Sequence, residues 1–402
     1  MISYKEALDL LRTEFKPVIT NISVPLEDSV GYVLSEDIFP DINLPPFDNS
    51  AMDGYAIKYN PEIRKWRLIG QLTAGSESEF TIDESTTVSI MTGAKLPIGA
   101  DTIIPVENAE LQNDIVILND NAHVEFGEHI REMGNDLPIG ILAVKSGTLI
   151  ETKHIPILAA CGQRKVKVKK PLRIAVISTG DELVDIDNKP ENAQIRATNL
   201  YSIISLIKDC GIKPINFGLI KDDKQSIANT FRKILESKAE VIITTGGVSV
   251  GQHDYLKDVL KELGAKTIFW RVNIKPGKPF LFSIIEQDGI KKYIFGLPGN
   301  PLSSFVNFNI FIKPSIKYIY GKASEFHFTA EIVEDLNKKD NKLHFIMGYY
   351  EYVFALDRYF VRKAGTQSSG NMYTLSQSNC MVMFPEELTE IKSGSIVDCI
   401  RI

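Results

Sequence analysis

At 402 residues, with 44% hydrophobic and 24% charged side chains, the chain is too long for one ordinary core and is not a candidate for bulk disorder; two to four domains are expected. A net charge of −6 argues against nucleic acid or an anionic membrane as the main partner and leaves room for a local basic pocket. Cys161, Cys210, Cys380 and Cys399 form no CxxC pair, and no secretory signal and no uninterrupted apolar run of about 18 residues is present, so a cytoplasmic soluble protein with reduced thiols is expected.

Ser3-Tyr4-Lys5-Glu6 has the form of a capping box, and Ala7, Leu8, Leu10 and Leu11 make an apolar stripe behind it. A helix from about Tyr4 to Phe15 is predicted. From about Ile19 to Gly147 short strand runs alternate with turns, as at 66–69, 87–90 and 114–118, which predicts a β-rich region. The period changes near Lys170. The run 172–178 is almost continuously apolar, as in a buried parallel strand. A helix near 199–208, a strand at 214–219, a helix at 224–237, a strand at 241–245 and a helix at 255–263 follow. Extended segments at 266–270, 280–285 and 292–296 then lead into a helix from about Pro301. This alternation predicts a doubly wound α/β sheet. Beyond about Lys322 the runs 328–333, 359–361 and 380–384 predict a small β domain.

In an open α/β sheet ligands sit beyond the C-terminal strand ends. Three such ends here are rich in glycine: Ser178-Thr179-Gly180-Asp181-Glu182-Leu183, the stretch Thr244 to Asp254, and Gly296-Leu297-Pro298-Gly299-Asn300-Pro301. Any one of them reads as a tight turn with a helix cap. Three on one edge point to a phosphate or oxyanion site, because glycine lets backbone N–H groups come close to a ligand. No Walker A sequence and no GxGxxG is present. Lys275-Pro276-Gly277-Lys278-Pro279 puts two cations on one rigid turn, which suits a polyanion; alone it is a solvated basic turn. Glu182, Asp222, Asp223 and Asp254 flank these loops. Carboxylates beside a phosphate site point to a bridging Mg²⁺, although Asp223 and Asp254 equally suit helix N-capping. His253 reads as a polar loop residue, and no Ser-His-Asp or Cys-His signature is visible.

The motifs DNSAMDGYA (from Asp48), IMTGA (from Ile90), STGDEL, TTGGVSVGQHDY, KPGKPF and GLPGNPLSS, in this order, resemble the molybdopterin molybdenumtransferase family, which includes bacterial MoeA and the C-terminal domain of gephyrin. The resemblance covers nearly the whole chain. It implies a multidomain α/β plus β architecture. Residues 1–46 with 139–170 would form a discontinuous linker domain and 47–138 a β-rich domain carrying the DNSAMDGYA loop. Residues 171–320 would form a molybdopterin-binding α/β domain and 321–402 a C-terminal β-barrel. It also implies a homodimer in which that loop of one subunit approaches the α/β pocket of the other.

The implied reaction inserts molybdate into adenylated molybdopterin with release of AMP and needs Mg²⁺. Matched residue by residue, the catalytic set is Asp53, Thr92, Glu182, Asp222 and Asp254, with Glu182, Asp222 and Asp254 assigned to Mg²⁺. Gly246, Gly247, Ser249, Gly299 and Asn300 would bind substrate. Pro298 and Pro301 would shape the pterin pocket, and Lys275, Lys278 and Ser303 would contact molybdate, with Ser369 a further serine match. The molybdopterin adenylyltransferase is a further implied partner. Two positions depart from the family pattern: Asn135 stands where Glu is usual, and Met347 where an arginine that helps hold the oxyanion is usual. Two other readings compete. The related adenylyltransferase shares the α/β fold, but the DNSAMDGYA region and the C-terminal β domain argue against it. A peptide-binding scaffold has only Met347 in its favour, against intact acidic motifs.

Overall fold

The structure, a computed structural model, describes residues 1–76, 80–248, 255–321 and 327–402. The chain forms two compact units, one of residues 23–30 and 34–168, the other of residues 1–22, 31–33 and 169–402.

The first unit is built on a six-stranded sheet. Its order is Thr102–Pro105, Gly54–Ile57, Thr86–Ile90, Lys65–Leu72, Ile115–Leu118, Ala109–Gln112. Successive side chains on a strand point to opposite faces. Tyr55, Ile57, Trp66, Ile104 and Val116 therefore pack in one cluster, and Ala56, Leu72, Val88, Ile90 and Ile103 in another. The β-rich reading of this region agrees with that sheet.

The second unit holds the α/β sheet. Its strands are β1 (Ile174–Thr179), β2 (Ile215–Ile220), β3 (Val241–Thr245), β4 (Lys266–Arg271), β5 (Pro279–Gln287) and β6 (Ile290–Leu297), in the order β2-β1-β3-β6-β5-β4. The first four of that order are mutually parallel, as predicted. β5 runs antiparallel to both neighbours. The reason is local: only Asp288 and Gly289, at φ 51° and 74°, separate β5 from β6, and such a turn makes a hairpin, never a parallel crossover.

Around the sheet lie α1 (Tyr4–Glu14), α2 (Thr198–Asp209), α3 (Lys224–Glu236), α4 (Tyr255–Glu262) and α5 (Pro301–Asn307). The predicted capping box closes α1: Glu6 N–H donates to Ser3 Oγ, and Ser3 N–H to the Glu6 carboxylate. Phe15, which ends α1, is buried edge-on against Tyr293 and Phe295 of β6, with ring centroids 5.0 and 5.4 Å away. Burying one such ring contributes about 1.5–3 kcal/mol. The apolar faces of α3 and α4 close over the strands, with Phe231, Ile234 and Val259 against Ala175, Ile242 and Ile294.

The C-terminal part is a closed five-stranded barrel. Its strands are β7 (His327–Ile332), β8 (Leu343–Val353), β9 (Arg358–Lys363), β10 (Cys380–Phe384) and β11 (Ile396–Arg401), joined as β8-β9-β7-β11-β10 and back to β8. A short strand, Ile274–Lys275, lies parallel to β8 and pairs Lys275 with His344. That pairing sets the predicted lysine turn against the barrel. All four cysteines are free thiols. Among the described residues no helix is long and apolar enough to cross a membrane.

Gly54 begins the strand after the DNSAMD loop, and a Cβ there would lie 2.1 Å from the Ile104 carbonyl oxygen. Gly54→Ala is expected to destabilise the β-rich unit toward the upper end of about 1–3 kcal/mol, read as a lower urea midpoint at unchanged slope. An unchanged midpoint would mean that β-rich packing tolerates the methyl group.

Candidate active site

Register brings three strand ends level. Ser178 stands beside Thr245, and Thr245 beside Leu297. The loops after β1, β3 and β6 therefore open from one line. They surround a cleft of about 910 Å³. Thr179 ends β1 and Gly180 and Glu182 come after it, Asp222 follows β2, Gly246 and Gly247 follow β3, and Pro298, Gly299, Asn300, Pro301 and Ser303 follow β6; all of them line it. The start of α2, Ala197 to Asn199, closes another side. Gly246 has φ +86°, and a Cβ on it would lie 2.3 Å from the Thr179 carbonyl oxygen. Only glycine lets these two loops pass so closely.

The acids divide by role. The Asp223 carboxylate accepts from Ser226 N–H at 2.8 Å and caps α3, which holds its carboxyl below the usual range. The capping alternative therefore holds for Asp223. Asp222, one residue earlier, faces the cleft, and its N–H donates to Asp181 Oδ1. Asp254 and Ser249 lie outside the described residues. Among the described residues no three His, Cys, Asp or Glu side chains stand together as a metal-ligand cluster.

A second cleft of about 780 Å³ adjoins the first and shares Pro279, Asn300 and Ser303 with it. Lys275, Lys278 and Ser369 line this second cleft rather than the first. Asn307 fixes the lysine turn, since its Nδ2 donates to the carbonyls of Gly277 and Pro279 at 3.0 and 3.2 Å. Ser369 is placed by its carbonyl, which accepts from Leu302 N–H at 3.1 Å. The barrel contributes Lys338, Lys339, Lys342 and Lys363, so six lysines oppose two aspartates, Asp335 and Asp340. Neither Lys275 nor Lys278 has an ion-pair partner among the described residues. A cleft so charged concentrates anions. His344 lies in it, with Nε2 2.6 Å from Asp340. Burial pushes its imidazole below the usual value, the charges of Lys275 and Lys338 act the same way, and the Asp340 carboxylate opposes them.

Three family models match consecutive parts of the chain: "MoeA N-terminal region (domain I and II)" over residues 2–162, "Probable molybdopterin binding domain" over 175–318, and "MoeA C-terminal region (domain IV)" over 329–402. A molybdopterin molybdenumtransferase of Haemophilus influenzae is 33% identical over 383 residues, covering 92% of this chain and 91% of that one. One from Staphylococcus epidermidis is 32% identical and covers 99% and 95%. The chain belongs to the molybdopterin molybdenumtransferase family. The crystal structure of the molybdopterin biosynthesis MoeA protein from Pyrococcus horikoshii superposes on it with a TM-score of 0.83 at 28% identity, covering 100% of this chain and 99% of that one.

Within this molybdenumtransferase fold, Met347 is wholly buried on β8 and does not line the lysine cleft. Gln367 holds its backbone on both sides: its Oε1 accepts from Met347 N–H, and its Nε2 donates to Met347 O. The barrel's cations at the cleft come from lysines on neighbouring segments. Lys342 and His344, close to Met347 in sequence, also line the cleft, and no motif marks them. Thr179 and Asn199 were also passed over, Thr179 although it lies in the STGDEL motif.

Asp53 and Thr92 belong to the β-rich unit. They are bonded to each other: Thr92 N–H and Oγ1–H both donate to Asp53 Oδ1, at 2.7 and 2.8 Å. These bonds hold the exposed Asp53 carboxyl below its usual range, the backbone one most. The stabilisation they give is present above the pH where a free aspartate titrates and is lost as pH falls through the folded value. Thr92→Val removes the hydroxyl donor, so the Asp53 carboxyl should titrate at higher pH than in the wild type. Carbon-detected NMR of the aspartate carboxyls reads this directly; an unmoved midpoint would dissociate Thr92 from the shift.

Proposed function

We propose that the chain inserts molybdate into adenylated molybdopterin, releasing AMP and completing the molybdenum cofactor. One observation carries the reading: an acid-bearing, glycine-bounded cleft and a lysine-lined cleft share Pro279, Asn300 and Ser303. Two anions of different chemistry can thus be held side by side. The close-approaching loops at Gly246–Gly247 and Pro298–Pro301 suit a phosphate-bearing substrate. The lysines offset the charge of an incoming oxyanion. Fixing both reactants at a common border replaces much of the entropy of their encounter.

Mg²⁺ fits the donor chemistry on the acid side. Glu182 and Asp222 offer hard carboxylate oxygens, and this ion commonly takes one or two protein carboxylates, keeps several waters, and binds substrate phosphate for the rest. Such a site needs no cluster of three protein ligands. When bound, the ion supplies polarisation of the phosphate being cleaved. The reading includes a homodimer in which Asp53 and Thr92 of one copy serve the cleft of the other, as the family resemblance implies. It also includes the molybdopterin adenylyltransferase as the source of the adenylated substrate.

Purified protein given adenylated molybdopterin, molybdate and Mg²⁺ is expected to release AMP only when molybdate is present. Glu182→Ala and Asp53→Ala should each slow release by at least about a hundredfold. Lys275→Ala should instead raise the molybdate concentration needed by about tenfold. Unchanged turnover in both acid variants would remove the site assignment. Transfer of AMP to the pterin from ATP without molybdate would make the chain an adenylyltransferase instead.

A further inference from the structure

We propose that Gln367 is a positioning residue for the oxyanion side of the reaction: its carboxamide bridges a gap along one edge of the barrel strand β8 and so fixes Ser369 relative to the lysine turn. The assignment rests on the reading of the lysine cleft as the oxyanion site. It deepens that reading by naming what sets the serine against the cations.

A strand has two edges. On β8, β10 occupies one of them from His344 to Gly348. Two other segments share the opposite edge. Ile274–Lys275 pairs there with Leu343 and His344, and β9 pairs from Gly348 onward, with its last residue, Lys363, beside Gly348. Between them, from Phe345 to Met347, no strand covers that edge among the described residues. Backbone groups on an uncovered edge must find partners elsewhere. At Met347 the partner is Gln367. Its Oε1 accepts from Met347 N–H at 2.8 Å, and its Nε2 donates to Met347 O at 3.1 Å. A carboxamide carries the same donor and acceptor as a peptide group. One side chain thus takes the place that a longer β9 would fill.

The same amide also turns the chain. Nε2 donates to the Ala364 carbonyl at 2.7 Å, and Ala364 N–H donates to Met347 O at 2.8 Å, which closes the turn by which the chain leaves β9. Both Nε2 hydrogens and Oε1 are then spent on backbone. Gln367 lines the lysine cleft but has no donor left to offer an anion, so its part is to place something else. Ser369, two residues on, lines the same cleft, and its carbonyl accepts from Leu302 N–H at 3.1 Å. The lysine turn and the serine loop are therefore registered against one edge of one strand, Lys275 at His344 and Gln367 at Met347, a span of about 10 Å along β8. A lysine can follow a displaced ligand on its flexible stem. A serine hydroxyl is short, and its reach is set by the backbone that carries it.

The test titrates molybdate into the full chain by calorimetry, for the wild type, Gln367→Met, Ser369→Ala and the double variant. Gln367→Met keeps the length of the side chain and gives up its bonds; it should weaken molybdate binding about tenfold. In AMP release it should raise the half-saturating molybdate by a larger factor than it lowers the maximal rate. Ser369→Ala should weaken binding by a similar factor. In that background Gln367→Met should add less than about a further twofold, because Gln367 acts through the serine. Gln367→Asn keeps the amide but falls one carbon short, and should weaken binding in the same sense; it decides the matter where the methionine variant does not fold. Wild-type affinity in a folded variant at position 367 overturns the assignment and leaves the lysine cleft standing. Two losses that multiply in the double variant do the same, since they show that Gln367 acts without the serine. A wild-type chain that binds no molybdate, or that binds it as tightly after Lys275→Ala, overturns the cleft reading and the assignment together.

Discussion

Parallel pairing delivers strand ends to one edge, and the cleft beyond that edge depends on this constraint. β1, β3 and β6 are locked in register, so that Ser178, Thr245 and Leu297 stand side by side. Each strand must then be followed by a loop that leaves from the same line. Three loops leaving together would collide if their residues carried ordinary side chains. The glycines at 246 and 247, both at positive φ, relieve that crowding. They leave a concave space bordered by backbone, the surface that phosphate-bearing ligands favour. The hydroxyls of Ser178 and Thr245, bonded to each other at 2.8 Å, brace the base of the same edge.

Charge is sorted on either side of that edge. Glu182 and Asp222 stand on the side of β1 and β2, whereas Lys275 and Lys278 come from the turn that precedes β5. The turn is held twice. Asn307 grips its carbonyls from the helical side, and the Lys275–His344 pairing anchors it to the barrel. A lysine is a flexible point charge, so the precision of such a cleft has to come from the backbone that carries it. The barrel thereby becomes part of the lysine cleft rather than an appended domain.

Much of this was legible in the sequence, and for a stated reason. Buried parallel strands read as continuous apolar runs, and the helices between them carry a 3.6-residue stripe. The parallel segment 241–245 therefore coincides with an observed strand, the apolar run 380–384 coincides with an antiparallel strand of the barrel, and the others lie within a few residues of observed strands. The Ser3–Glu6 capping box was visible because both of its bonds join residues three apart. What stayed hidden depends on contacts between distant residues. Nothing local says that Phe15 will meet Tyr293, that Lys275 will pair with His344, or that two clefts will share Ser303. Among the described residues, those that carry the motifs of the α/β unit line two adjoining clefts, Glu182 and Asp222 the one, Lys275 and Lys278 the other.

Asn199 shows where pattern reading stops and accounting for polar groups begins. At the start of a helix an asparagine reads as an ordinary polar residue, and its one visible bond, to Gly299, reads as structural. Only the question of where its remaining oxygen finds a partner sets it apart. An unsatisfied atom is not a signal by itself, since Trp66 Nε1, in the packed interior of the β-rich sheet, also has no partner among the described residues. What distinguishes Asn199 and Thr179 is that both line a cleft large enough for a nucleotide-sized ligand. In a closed core a bare polar atom is a defect that the surrounding packing outweighs. Close to a cleft it lies beside the loops that any ligand must touch, so the accounting of polar groups points to the same place as the glycines and the register of the strands.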